Sequence, residues 1–137
     1  MTTDFTASLE NLESIYHFLE THLPHDAIIF LRGDLASGKT TLTSYIAQQK
    51  GLGSASSPTF ALQNSYDDRL FHYDLYRIEE SEFMEMGLYE EFEKSGWHII
   101  EWGTQGLESF LRNAGYDITT VSIAPKPHAR HYTITRD

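Results

Sequence analysis

Residues 27–41 read AIIFLRGDLASGKTT, and two patterns meet in them. Ala27 to Leu31 is a short unbroken apolar run, the pattern of a strand covered on both faces in a parallel sheet. Gly33, Gly38, Lys39 and Thr40 stand at the spacing G-x-x-x-x-G-K-[ST], and Thr40 to Lys50 reads as a helix stopped by Gly51. A loop of this kind curls around a chain of phosphates and turns successive backbone N–H groups inward, which glycine's backbone freedom permits. The positive end of the helix dipole strengthens the field there. The loop from Gly33 through Asp34, Ala36, Ser37 and Gly38 is therefore expected to hold a nucleotide. Lys39 would reach the β- and γ-phosphates, the Thr40 hydroxyl would meet Mg²⁺, and Thr41 would lie at the α-phosphate. At average residue usage such a match arises by chance in a chain this size on the order of once in 100. The apolar run before it and the helix after it reduce that figure further.

Outward from this unit the chain alternates between elements. Ser8 to His22 carries Leu9, Leu12, Ile15, Tyr16 and Leu19 at helical spacing, with Ser8 as N-cap and Pro24 beyond its end. Thr59 to Tyr66 and Arg69 to Tyr76 read as strands joined by a turn at Asp67 and Asp68. Glu79 to Phe92 is acidic and mostly helical, broken at Gly87. Trp97 to Trp102 is a second buried strand, Gly106 to Asn113 a short helix, and Ile118 to Ala124 with His131 to Thr135 a closing pair of strands. This order predicts an α/β fold: a P-loop NTPase-like three-layer sandwich with a mixed, mainly parallel sheet, formed as a single domain over residues 1–137.

Composition narrows the function. With 137 residues, 40% of them apolar, the chain suits one globular core. It contains no cysteine, which excludes disulfides, thiolate metal sites and cysteine nucleophiles. No segment approaches the roughly 20 apolar residues that span a bilayer, so no membrane role is expected and the cytoplasm is the expected location. Twenty acidic residues against ten basic ones leave a charge of −10, which opposes binding to a phosphate backbone by this chain alone. A nucleotide can still bind, because backbone N–H groups and a metal ion act locally.

Hydrolysis requires acids that hold a metal's water shell and position a water. Asp74 near the end of its strand and Glu101 at the end of the run Trp97 to Ile100 stand where open α/β sheets place ligands, beyond the C-terminal strand ends. Each also has a plain reading, Asp74 as an exposed strand carboxylate and Glu101 as a solvated strand end. Thr59, within Ser57-Pro58-Thr59-Phe60, is either a switch residue sensing the γ-phosphate or part of an ordinary loop. The acidic stretch Glu79 to Glu93 is a solvated helix face or a docking surface for a basic partner. His22 and His25 lack a recognisable third ligand. No N-K-x-D motif occurs, which favours ATP over GTP. The six arginines are unclustered, which favours an ATPase over the alternative, a small-molecule kinase with an arginine-rich lid.

Several ordered blocks together resemble the TsaE family, the ATPase component of bacterial tRNA threonylcarbamoyladenosine synthesis. They are GDLASGKTT at Gly33 to Thr41, SPTF at Ser57 to Phe60, HYDLYR at His72 to Arg77, MGL at Met86 to Leu88 and IEW at Ile100 to Trp102. The resemblance implies that Lys39 and Thr40 bind ATP and Mg²⁺, that Asp74 and Glu101 complete the metal and water site, and that Thr59 belongs to a switch-like loop. It further implies that Trp102 lies beside the nucleotide and that Arg130 approaches it. The implied partners are synthesis proteins of the TsaD and TsaB type, with tRNA contacted only through them. Ala36-Ser37 departs from the family's usual Gly-Ala, and alanine forbids some backbone angles open to glycine. The C-terminal third matches more loosely.

Overall fold

Seven strands form one sheet in the computed structural model, which describes residues 2–8, 11–34, 38–52, 62–76 and 78–136. The elements run β1 (Thr2–Ala7), α1 (Glu13–His22), β2 (Ala27–Arg32), α2 (Lys39–Gln49), β3 (Gln63–Tyr66), β4 (Leu70–Asp74), α3 (Glu80–Glu85), a 3₁₀ helix (Leu88–Glu93), β5 (Trp97–Glu101), α4 (Gln105–Asn113), β6 (Ile118–Lys126) and β7 (Ala129–Arg136). Strand order is β1-β7-β6-β2-β5-β4-β3. The four central strands β6, β2, β5 and β4 are mutually parallel, and the flanking pairs β3–β4, β6–β7 and β1–β7 are antiparallel.

Alternation along the central strands sends side chains into two separate cores, because successive residues point to opposite faces. Ile29, Leu31, Leu70, Ile99 and Val121 pack with Ile15 and Leu19 of α1 and Leu42 and Ile46 of α2. Ile28, Phe30, Phe71, Tyr73, Ile100 and Ile118 pack on the other face with Phe83, Phe92, Leu107 and Leu111. Helices thus cover both faces, the three layers expected. The unbroken apolar runs of β2 and β5 exist because both of their faces are buried.

Some expected boundaries move. The first helix begins at Glu13, and Leu12, not Ser8, occupies its N-cap position without a side-chain cap. Ser8 instead directly follows β1, its carbonyl accepting from Asn11 N at 3.1 Å. β1 itself is weakly marked in the sequence. It is an edge strand whose Thr2, Asp4 and Thr6 are exposed and whose Thr3, Phe5 and Ala7 turn inward, a pattern with little apolar signal. The turn after β3 lies at Asp67 and Asp68, whose φ values of 55° and 51° fall in the left-handed region aspartate tolerates. Gly87, at φ 72°, separates α3 from the 3₁₀ helix. Among the described residues, no helix is long and apolar enough to cross a membrane.

Candidate nucleotide and metal site

Parallel register brings three strand ends together. Glu101 of β5 stands opposite Leu31 of β2 on one side and Asp74 of β4 on the other. Since Ile99 and Leu70 belong to the core beneath α2, Glu101, His72 and Asp74, each an even number of residues along its strand, point to that same face. Helix α2 begins there at Lys39 and carries Thr40 down onto the ends of β4 and β5.

The polar contacts at this junction form a chain. Thr40 Oγ1 donates to Glu101 Oε2 at 3.2 Å, with Oε1 at 3.5 Å. His72 Nε2 lies 2.5 Å from the same Oε2. His72 and Glu101 are both buried, at 6% and 4% exposure, so the carboxylate's position is set by these partners rather than by water. Asp74 is exposed and its Oδ1 accepts from Tyr76 N at 3.1 Å, a local turn that holds the carboxylate at the strand end.

Lys39 is 5% exposed, an unusual setting for a lysine. Its ammonium donates to the carbonyls of Gly33 and, at 3.3 Å, Asp34, and sits 3.8 Å from the centroid of the Trp102 ring. Burial pushes its pKa down from the ordinary lysine value, opposed by the charges of Glu101, Asp34 and Asp74. Trp102 takes a positive φ of 62°, which turns the chain sharply after Glu101 and lays the indole over Lys39, and its ring also meets Tyr76, 5.0 Å away between ring centroids.

Whether these residues suit a phosphate and a divalent cation can be judged from the donor set. Gly38, at the N-cap of α2, has φ 110° and no side-chain cap, so the first-turn N–H groups of α2 are not capped by that residue and suit a phosphate. Lys39 is a desolvated cation beside them. The Thr40 hydroxyl and the carboxylates of Glu101 and Asp74 are hard oxygen donors, the kind Mg²⁺ takes together with phosphate oxygens. The fit is good for a metal-bound nucleoside polyphosphate.

The structure thus brings together Gly33, Asp34, Gly38, Lys39, Thr40, Asp74, Glu101 and Trp102, with Thr41 exposed on the first turn of α2. Arg130 does not join them directly. It pairs with Pro125, three residues past the partner of Arg32, so it stands at the same sheet edge but two strands away from β2. Ala36, Ser37, Thr59 and Arg77 lie outside the described residues. His72 was not assigned a role from the sequence, although its position two residues before Asp74 puts it on the same strand face. Arg32 donates to Gly103 O at 2.7 Å and to Glu108 at 2.9 Å, which ties β2 to α4 on the opposite face.

This strand, lysine and helix arrangement, with a carboxylate from the neighbouring parallel strand, defines a P-loop NTPase-like α/β protein. The crystal structure of Bacillus subtilis YdiB superposes with a TM-score of 0.64 over 99% of this chain and 86% of that one, at 21% identity, a likeness of fold. The family model for threonylcarbamoyl adenosine biosynthesis protein TsaE matches residues 6–132, and the chain belongs to that family. Relatives described as tRNA threonylcarbamoyladenosine biosynthesis protein TsaE include one from Haemophilus influenzae, 37% identical over 64% of this chain and 59% of its own length. Others are from Bacillus subtilis, 39% identical over 66% of this chain and 64% of the relative, and Aquifex aeolicus, 35% identical over 69% and 73%. The chain thus covers about three fifths of the first two relatives.

Proposed function

We propose that this chain binds ATP with Mg²⁺ and hydrolyses it slowly on its own, as a subunit of the machinery that threonylcarbamoylates the adenosine beside the tRNA anticodon. The observation that carries this is the Thr40–Glu101 contact at 3.2 Å beside a buried Lys39, which unites the metal-binding hydroxyl, the acid and the phosphate-binding cation at one helix N-terminus. Thr40 would hold Mg²⁺, with Asp74 and Glu101 completing the site, and the ion would supply charge neutralisation on the phosphates. Lys39 exchanges the carbonyls of Gly33 and Asp34 for β- and γ-phosphate oxygens. Glu101 orients a water whose oxygen bonds to the γ-phosphorus as the bridging P–O bond breaks. The water's proton passes to the carboxylate, and ADP and phosphate leave.

Among the described residues, Lys39 is the cation placed at the junction and Arg130 stands two strands from β2, which leaves the γ-phosphate incompletely neutralised in this reading. Partners of the TsaD and TsaB type complete the neutralisation and also hold the tRNA, which a chain of charge −10 does not attract by itself. The localisation that goes with this role is cytoplasmic. The test is a steady-state phosphate-release assay on the protein alone, with TsaD- and TsaB-type proteins, and with those proteins plus tRNA. Turnover should rise with partners. Equal rates in all three mixtures, or tight tRNA binding by this chain alone at physiological salt, would overturn the proposal.

A further inference from the structure

We infer that His72 is the positioning residue for Glu101, selecting which carboxylate oxygen faces the nucleotide. The inference rests on the ATPase reading above and adds a residue to it. Glu101 ends its strand, with Ile99 before it on the same face and no strand residue after it, so its three rotatable bonds leave the carboxylate to be fixed by polar partners. Two donors fix it, and both act on one oxygen. Among the described residues, Oε2 receives His72 Nε2 at 2.5 Å and Thr40 Oγ1 at 3.2 Å, whereas Oε1 has the 3.5 Å approach of Thr40. A carboxylate only accepts, so His72 Nε2 carries the hydrogen of this bond. With Oε2 occupied, Oε1 is the oxygen left to accept from a water.

The two donors differ in what nucleotide binding does to them. Thr40 is exposed on the first turn of α2, and its hydroxyl is also the group that meets the metal. A hydroxyl whose lone pair meets a cation can still donate its one hydrogen, but the metal then sets where that hydrogen points. His72 is inside β4, where the chain is held on one side by β5 and on the other by β3, with Asn64 and Ile99 as its pairing partners. It is buried, and its hold on Oε2 therefore persists when Thr40 turns to the metal. A strand-borne support of this kind supplies the rigidity that a catalytic carboxylate needs to stay within a fraction of an ångström of its working position.

The separation of roles gives a specific test. His72→Leu removes the donor and keeps similar bulk, while His72→Gln restores an N–H donor at similar reach. In the full-length protein assayed with TsaD- and TsaB-type proteins, His72→Leu should lower kcat by roughly 10- to 100-fold, the range for a lost positioning contact. Affinity for ATP without Mg²⁺, read by titration calorimetry, should stay within about threefold, since His72 touches the carboxylate and not the phosphate-binding groups. His72→Gln should recover most of the loss. In a Glu101→Gln background, the His72→Leu change should cost nothing further, because a residue that acts through another loses its effect when that other is gone. Mg²⁺ titration of the ADP-loaded variants, followed by Trp102 fluorescence, adds a readout without turnover: His72→Leu should weaken the metal response and His72→Gln should restore it. An undiminished kcat in His72→Leu, no rescue by His72→Gln, or an equal loss in both Glu101 backgrounds overturns the inference while the ATPase proposal stands. Absence of any turnover in the wild type overturns the ATPase proposal, and this inference falls with it.

Discussion

Replacing Glu101 by glutamine changes one oxygen to an amide nitrogen and removes one charge, and the structure gives both consequences a size. Glu101 is 4% exposed, and its Oε2 holds His72 at 2.5 Å and Thr40 at 3.2 Å. A glutamine can turn its carbonyl oxygen to the same two donors, so neither is orphaned. Each bond falls from charge-assisted to neutral strength, a loss of about 1 kcal/mol apiece or about 2 kcal/mol together. Against this, a neutral amide escapes the desolvation penalty of a buried carboxylate, which is of comparable size. Net stability should therefore change little, and Tm by only a few degrees. Turnover should not be spared. Removing a positioned general base costs about 10²- to 10⁴-fold, or roughly 3–5 kcal/mol of barrier. ATP affinity should hold or tighten, since an anion near the γ-phosphate has gone. Single-turnover phosphate release with TsaD- and TsaB-type proteins present, run beside titration calorimetry and a thermal melt, separates the three quantities. Turnover within about threefold of wild type would refute the assignment of Glu101 as the acid that orients water.

Three further outcomes are expected. Lys39→Ala should weaken ATP binding by at least 10- to 100-fold, the worth of a charge-assisted contact to phosphate, and unchanged affinity by calorimetry would remove the nucleotide site itself. Gly96→Ala should destabilise the fold by about 3 kcal/mol, because Gly96 has φ +125° and an added Cβ would meet the Arg69 carbonyl oxygen at 2.2 Å, backbone that cannot swing aside; a melt within a few degrees of wild type would contradict this. His98 is buried between Tyr73 Oη and Lys94 O, and burial pushes its pKa below the usual histidine value. The unfolded chain then binds the proton more readily, so His98 contributes stability above about pH 6.5 that is lost as pH falls toward its depressed folded value, and His98→Gln should flatten denaturation midpoints across that window.

What the sequence determined by itself was the unit at its centre. AIIFL followed by G-x-x-x-x-G-K-T names a buried strand, a phosphate loop and a helix start, because each rests on local chemistry: apolar continuity, glycine's backbone range and one lysine at fixed spacing. Asp74 and Glu101 were legible as strand-end acids for the same reason, since strand ends can be read from where an apolar run stops. The edge strand Thr2–Ala7 was not, because half of its residues face water and its partner β7 lies more than 120 residues away in the chain. Only the tertiary structure decided what the acids touch. That β4 lies beside β5, in a register that sets Asp74 opposite Glu101, is a fact of strand order, and strand order is fixed by long-range packing rather than by any local pattern. His72 gains its contact with Glu101, and Lys39 its place under Trp102, through pairings between residues 29 and 63 positions apart. Such distances carry no spacing signature, so those side chains acquire their roles from the closing of the sheet.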